Sequence, residues 1–496
     1  MPTRADLDVA VIGAGFSGIA AALALKGSGR SSFTVFERAE RPGGVWRDNI
    51  YPGCRCDVPS QLYELAARPN PGWSRNFAPQ PEILDYLQRV AAEPDLAGHF
   101  RFAQPVTRAW FDAEAGRWCI EIAGAAPVSA RALLLATGPL SRPHIPELPG
   151  RDCFCGLQVH SATWRAGISF SGRRVAVVGT GASAIQIVPE IAREAAHLYV
   201  VQRSAPWVLP RGERPFAAPE RALCRRLPQL HRLGRVFHYW KLEFFGRAYR
   251  RKGLAYLLLT GAAAVKRWRE VREAQLRCSL TPTERIGCKR AVLSDEYLPT
   301  FNRPNVTLLD SALAALDEAG VICADGRRAT VDAVIWATGF RVVDPAGLVP
   351  VINAEGVELA ALWHREGPQA YKGTVIAGFP NLLYLLGPNG GLGHSSAVLF
   401  VESQLAYVLS YLDQLDALAS PAALDLPRDR QDTYNEWVQR ALAHTVWGSA
   451  CSSWYFDRAG VNRAIFPGLC QDYRRHMATF ESSDYRVLTP RADCEP

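Results

Sequence analysis

One pattern occurs twice in this chain and predicts an α/β fold. A short apolar run leads into a glycine-rich loop and a small-residue helix, first from Leu7 (LDVAVI) and again from Arg174 (RVAVV). Each copy then ends on a second apolar strand with a polar residue at its tip, the order in which a doubly wound unit holds a dinucleotide. Two Rossmann-like dinucleotide-binding domains are therefore expected. A buried strand, a glycine-rich turn and a long helix return late, from Gly378 to Leu412; the pattern resembles the one that closes the first domain in similar proteins with two dinucleotide units, which implies a first domain split in sequence. The boundaries read as 1–144 for its first part, 145–345 for the second domain with a helical insertion at about 213–284, and 346–496 for the return and C-terminal segment.

Composition narrows the classes. A chain of 496 residues, 48% hydrophobic and 21% charged, needs more than one core and has the balance of a soluble globular protein. There is no secretion-signal pattern and no apolar run of membrane-spanning length, so a cytoplasmic location without stable membrane insertion is expected. The twelve cysteines show neither CxxC pairing nor zinc spacing, so reduced thiols and no metal site are expected. The net charge of +8 is uneven: Arg221 to Arg290 holds eighteen Lys and Arg against four Glu. No nucleic-acid motif accompanies this block, which reads as a solvated basic helical face able to attract an anionic cofactor.

In the first unit, Gly13, Gly15 and Gly18 form G-x-G-x-x-G before a small-residue helix, and the strand FTVFE ends at Glu37, 22 residues past Gly15. The glycines allow backbone to approach a pyrophosphate at the helix N-terminus, and the acid accepts from a free ribose hydroxyl, as in FAD. The stretch GGVWRDNIYPGCRCD follows, whose glycines allow close approach of backbone and whose Trp46 offers a flat apolar surface. A flavin disulfide reductase would need a C-x4-C pair here, whereas Cys54 and Cys56 are two apart. Residues 79–91 (PQPEILDYLQRVA) read as an amphipathic helix and 102–122 as a β-meander turning at Gly116.

In the second unit, Gly179-Thr180-Gly181 precedes Ser183, Ala184 and a helix, and the strand HLYVVQRS carries Arg203 22 residues past Gly181, with Ser204 beside it. A cation at this position suits a 2′-phosphate, so this unit should hold NADPH. Inside the insertion, the fourteen residues from Lys252 to Val265 reach about 21 Å as a helix, too short to span a bilayer. Core packing is favoured there over contact with an anionic membrane surface.

The stretch Phe154–Trp164 has the spacing F-x-G-x-x-x-H-x-x-x-W through Phe154, Gly156, His160 and Trp164. It resembles the fingerprint of the Baeyer–Villiger monooxygenases, and Gly43, Gly44, Trp46, Tyr51, Pro52, Gly53 and Asp57 match a second signature of that family. Arg165 stands where the family usually has Pro or Asp. The resemblance implies an FAD- and NADPH-dependent enzyme that inserts one oxygen atom of O₂ beside a ketone carbonyl through a C4a-peroxyflavin, giving an ester or lactone. It implies flavin contacts at Val45, Trp46 and Tyr63, an adenine contact at the Val106 backbone, and a mobile-loop tryptophan over NADP at Trp454. Lys289 is implied as a second cation on the 2′-phosphate. Arg290 is implied as the catalytic cation and Asp57 as the carboxylate that orients it. The nearest alternative is an N- or S-oxygenating flavin monooxygenase, whose fingerprint usually has Tyr or Phe at the place of Trp164. A non-catalytic NADPH-binding sensor would need a damaged site. A monomer or weak homo-oligomer is expected.

Overall fold

The computed structural model describes residues 6–342, 349–419, 421–448 and 453–489; the expected boundary at 345/346 and Cys451 lie outside them. Two sheets organise the chain. In the first, the strands run in the order 351–352, 106–112, 117–122, 128–135, 6–12, 33–36, 100–101. Asp6–Ile12 is parallel to both neighbours. Val9, Val11, Ala132 and Leu134 have no exposure, which is why these strands read as continuous apolar runs rather than alternating ones. Helices Phe16–Gly27 and Ala397–Asp416 pack on each other over this core. The meander Val106–Asp112, Arg117–Ile122, Val128–Leu135 turns at Gly116, φ +60°. Late in the chain Leu382–Tyr384 enters the same sheet, pairing with Leu133–Leu135.

The second sheet is wholly parallel, in the order 306–309, 197–201, 174–178, 333–336, 157–160. Helix Ala184–Glu194 lays Ile187, Val188 and Ile191 on it, all fully buried. The expected α/β architecture of two Rossmann-like units is what the chain adopts. Their two connections run side by side: the His144 N–H donates to Gly339 O and the Arg341 N–H to Arg142 O, both at 2.9 Å.

The insertion leaves the second unit after Val208–Leu209 and returns at Val292–Leu293, and these two short strands pair in parallel at its base. Between them stand helices Ala218–Arg226, Pro228–Arg250, Leu254–Glu270 and Ala274–Ser279. Pro228–Arg250 starts on a proline, whose missing N–H costs nothing in a first turn. It is tied to the first unit at three places. His231 Nε2 lies 2.6 Å from Glu64 Oε1, Arg235 pairs with Glu402 at 3.1 Å, and Glu243 meets His394 at 3.1 Å. Among the described residues no helix is long and apolar enough to cross a membrane.

Candidate active site

The first glycine loop turns against the neighbouring strand end. Gly13 has φ +105°, and a Cβ there would lie 2.7 Å from Ala136 O. Gly44, at φ +51°, would bring a Cβ to 3.0 Å from Gly15 Cα. Loop 13–18 and the segment before helix Val45–Asp48 therefore close on one another as bare backbone at the N-terminus of helix Phe16–Gly27. Side chains would fill that cradle, and aligned N–H groups make it suitable for a pyrophosphate. Glu37 is buried beside it and accepts from the Ala14 and Ala39 N–H groups at 2.8 and 3.0 Å and from Arg47 at 3.0 Å. Three donors leave part of a carboxylate's acceptor capacity free. The Gln104 N–H donates to Glu37 O at 2.9 Å, which brings the start of the Val106 strand to the same place. These residues fit an adenosine diphosphate group.

The second loop repeats the device. Gly179 has φ +116° and would set a Cβ 2.4 Å from Ala337 O, whereas Gly181 faces open space. Ser183 directly precedes helix Ala184–Glu194. The Thr180 hydroxyl donates to Ser204 O at 3.1 Å. The Lys289 ammonium donates to Ser204 Oγ at 2.7 Å and pairs with Glu284 at 3.0 Å. Arg203 is exposed and makes no ion pair among the described residues. Lys289 thus reaches Ser204 at the strand tip, with Arg203 the preceding residue of the same tip, and these two cations with the Ser204 hydroxyl are a donor set that fits a phosphomonoester.

Asp57 and Arg290 are 233 residues apart in sequence yet form a bidentate pair, Nε to Oδ2 at 2.7 Å and Nη2 to Oδ1 at 2.9 Å. Burial alone would push the Asp57 carboxyl up; the charge and hydrogen bonds of Arg290 outweigh it and hold the carboxyl below its usual value. Burial alone would lower Arg290, and Asp57 outweighs that in turn, so the guanidinium stays charged. Tyr63 lies within the field of this pair, and its hydroxyl accepts from Trp46 Nε1 at 3.1 Å. Tyr249 and Tyr455 are buried near enough to feel the Arg290 charge. Burial pushes the Tyr249 phenol up to about 12, so it remains a neutral donor. The sequence reading missed both tyrosines and Arg211, whose charge also acts on Asp57. Only Tyr455 carried a signal, as the neighbour of Trp454. That tryptophan is 46% exposed and rests edge-on against the Tyr455 ring at 4.4 Å.

The fingerprint stretch ties the crossing strands. The Ala162 N–H donates to His160 Nδ1 at 3.1 Å, so Nε2 carries the proton and donates to Gly339 O at 3.0 Å. Burial lowers the His160 pKa, partly offset by the Gly339 bond. A Cβ on Gly156 would strike the Phe154 ring at 2.4 Å, and Trp164 packs against Phe170, ring centres 5.4 Å apart.

Cys54 and Cys56 are both free and buried, with burial pushing Cys54 up to about 12. Neither is therefore a thiolate poised for disulfide chemistry. Cys288 is disulfide-bonded, which corrects the expectation of an all-reduced chain. One His, Cys and acid cluster exists among the described residues, Glu243, His394 and Cys470. Glu243 there accepts the Cys470 and Gln471 N–H groups at 3.0 and 3.2 Å, so it caps helix Cys470–Ala478 while holding His394.

Comparison with known proteins agrees with this geometry. A family described as flavin-binding monooxygenase-like matches residues 6–232. A Baeyer–Villiger monooxygenase of Streptomyces coelicolor is 41% identical over 97% of this chain and 93% of its own. A steroid monooxygenase structure bound to NADP superposes with a TM-score of 0.83 at 30% identity, covering 97% of this chain and 99% of that one. A structure of OTEMO with FAD and NADP gives 0.84 at 27% identity, with 97% and 99% coverage. With two nucleotide cradles, a bidentate Asp–Arg pair and full-length kinship of this degree, the chain belongs to the Baeyer–Villiger monooxygenases of the flavin-binding monooxygenase-like family.

Proposed function

We propose that Arg290, oriented by Asp57, is the catalytic cation of an NADPH- and O₂-dependent oxygenation of a ketone to an ester or lactone. The protein is a flavin-dependent monooxygenase that uses FAD and NADPH. FAD belongs to the Gly13–Gly18 cradle, where Gly44, Val45 and Trp46 line the near wall, and NADPH to the Gly179–Ala184 loop with Arg203, Ser204 and Lys289 on its 2′-phosphate. The flavin, reduced by NADPH, supplies the activation of O₂. The chain supplies position and charge. A guanidinium held against a carboxylate keeps its proton at any working pH, so it stabilises developing negative charge without giving that proton away. The neutral phenols of Tyr249 and Tyr455 keep the surroundings of Arg290 free of competing anions.

The observation that carries this reading is the bidentate Asp57–Arg290 contact, which joins the first unit to the segment closing the insertion. Arg290→Ala tests it. Removing one preorganised charge stabiliser costs on the order of 10²–10³ in rate. The variant should bind FAD and oxidise NADPH, yet return hydrogen peroxide in place of ester across a panel of ketones. A flavin-loaded variant with wild-type ester per NADPH overturns the assignment, and oxygenated amines or sulfides as the main wild-type products overturn the ketone reading.

A further inference from the structure

The helical insertion is apolar on two sides. On helix Leu254–Glu270 the buried face is Ala255, Leu259 and Ala263 together with the stem of Lys266. On the opposite side Leu254, Leu257, Leu258, Val265 and Trp268 are each between 48% and 69% exposed. Their spacing places all five on one stripe of a helix with 3.6 residues per turn. Helix Pro228–Arg250 repeats the arrangement with Leu230, Leu233, Val236, Phe237 and Trp240, exposed by 39% to 64%. These two helices pack on one another. Scattered single apolar residues on a surface need no explanation; a stripe of five on each of two packed helices, with a tryptophan in each, does.

Charge singles out the partner. Between Arg221 and Arg269 stand thirteen Lys and Arg and a single acid, Glu243, which is buried against His394. Arg232, Lys241, Arg247, Arg251, Lys252 and Arg269 are all exposed. A cleft of about 1070 Å³ at the end of Pro228–Arg250 adds Arg247, Arg250, Arg251 and Arg475 against one acid, Asp472, which pairs with Arg250 at 3.4 Å and Arg475 at 3.9 Å. A second copy on this face would set like charges against each other. A nucleic acid would meet the arginines and leave the leucines in water. A bilayer rich in acidic phospholipid satisfies both features, because Leu, Phe and Trp enter the headgroup boundary while Lys and Arg meet phosphates.

We propose that the face formed by helices Pro228–Arg250 and Leu254–Glu270 docks reversibly on acidic phospholipid membranes, lying on the surface without crossing it. Sequence periodicity favours core packing for this segment; the structure assigns packing to one side only and leaves the other for the lipid.

Vesicle flotation of the FAD-loaded full-length protein tests it. The protein should float with vesicles of equal parts phosphatidylcholine and phosphatidylglycerol, not with pure phosphatidylcholine, and high salt should release it. Trp240→Ser combined with Trp268→Ser should lower the bound fraction by at least about tenfold, with flavin content and melting unchanged. Arg251→Glu with Lys252→Glu gives an independent charge-reversed variant should the first be unstable, and it should lose binding likewise. Three outcomes overturn the proposal: no flotation with acidic vesicles, flotation that survives in folded variants, or a wild-type dimer in sedimentation velocity that the tryptophan substitutions dissociate. The last would assign the face to a second copy.

Discussion

Removing the two cations at the second nucleotide loop separately should have unequal effects on coenzyme choice. A charge-assisted hydrogen bond contributes about 1.5–3 kcal/mol. Arg203 is exposed, which places it at the lower end, so Arg203→Ala should cut the NADPH-to-NADH ratio of kcat/KM roughly tenfold. Lys289 is already engaged by Glu284 at 3.0 Å, both side chains about one-third exposed. Turning toward a phosphate weakens that contact, which a pair of this exposure values at about 1 kcal/mol or less. Lys289→Ala should therefore cost only about three- to fivefold. Glu284 holds Lys289 at 3.0 Å and would repel an anion bound there, so Glu284→Gln should raise the NADPH preference by about two- to fivefold. Steady-state kinetics with both coenzymes at fixed ionic strength measures all three ratios. Equal use of NADPH and NADH by the wild type, or a drop in the ratio with Glu284→Gln, would refute the reasoning.

Two further outcomes follow from geometry. Gly15 has φ −80°, which valine accepts, and a Cβ would sit 3.6 Å from Gly44 Cα, an ordinary contact; Gly15→Val should therefore fold but purify colourless, and an absorption spectrum with wild-type flavin content would place FAD elsewhere. The lowered His160 pKa means the folded state takes up its proton less readily than the unfolded chain, so stability is complete above about pH 6.5 and falls as pH drops below it, by up to about 1.4 kcal/mol per pH unit for each such proton. His160→Gln can keep the bond to Gly339 O without titrating, and melting temperatures across that range should show a shallower acid slope.

What could be read from the residues follows from how local each cause is. Glycine loops and buried strands announce themselves, since Gly13 and Gly179 must take positive φ and Val9 to Val11 must be apolar on both faces. The contact between Asp57 and Arg290 could not be read from spacing, because tertiary folding closes 233 residues between them; it came from resemblance to a family. Tyr249 ends a basic helix with no local mark of its neighbours. The stretch from Lys252 misleads periodicity, since a helix apolar all round looks like core whether its second side meets protein or not. His160 sits in a recognisable pattern, yet only the structure shows that its partner is the second crossing strand.

The late strand Leu382–Tyr384 has a consequence for synthesis on the ribosome. Leu133–Leu135 offers it an edge of fully apolar backbone pairs, and 246 residues separate the two segments in the chain. At about 5–20 residues per second that edge stays open for roughly ten to fifty seconds after it emerges. During that interval the second unit, whose sheet ends at Ala333–Trp336, can be finished before the first can close. The nascent protein is thus built inside out, with the first unit begun first and its sheet completed last.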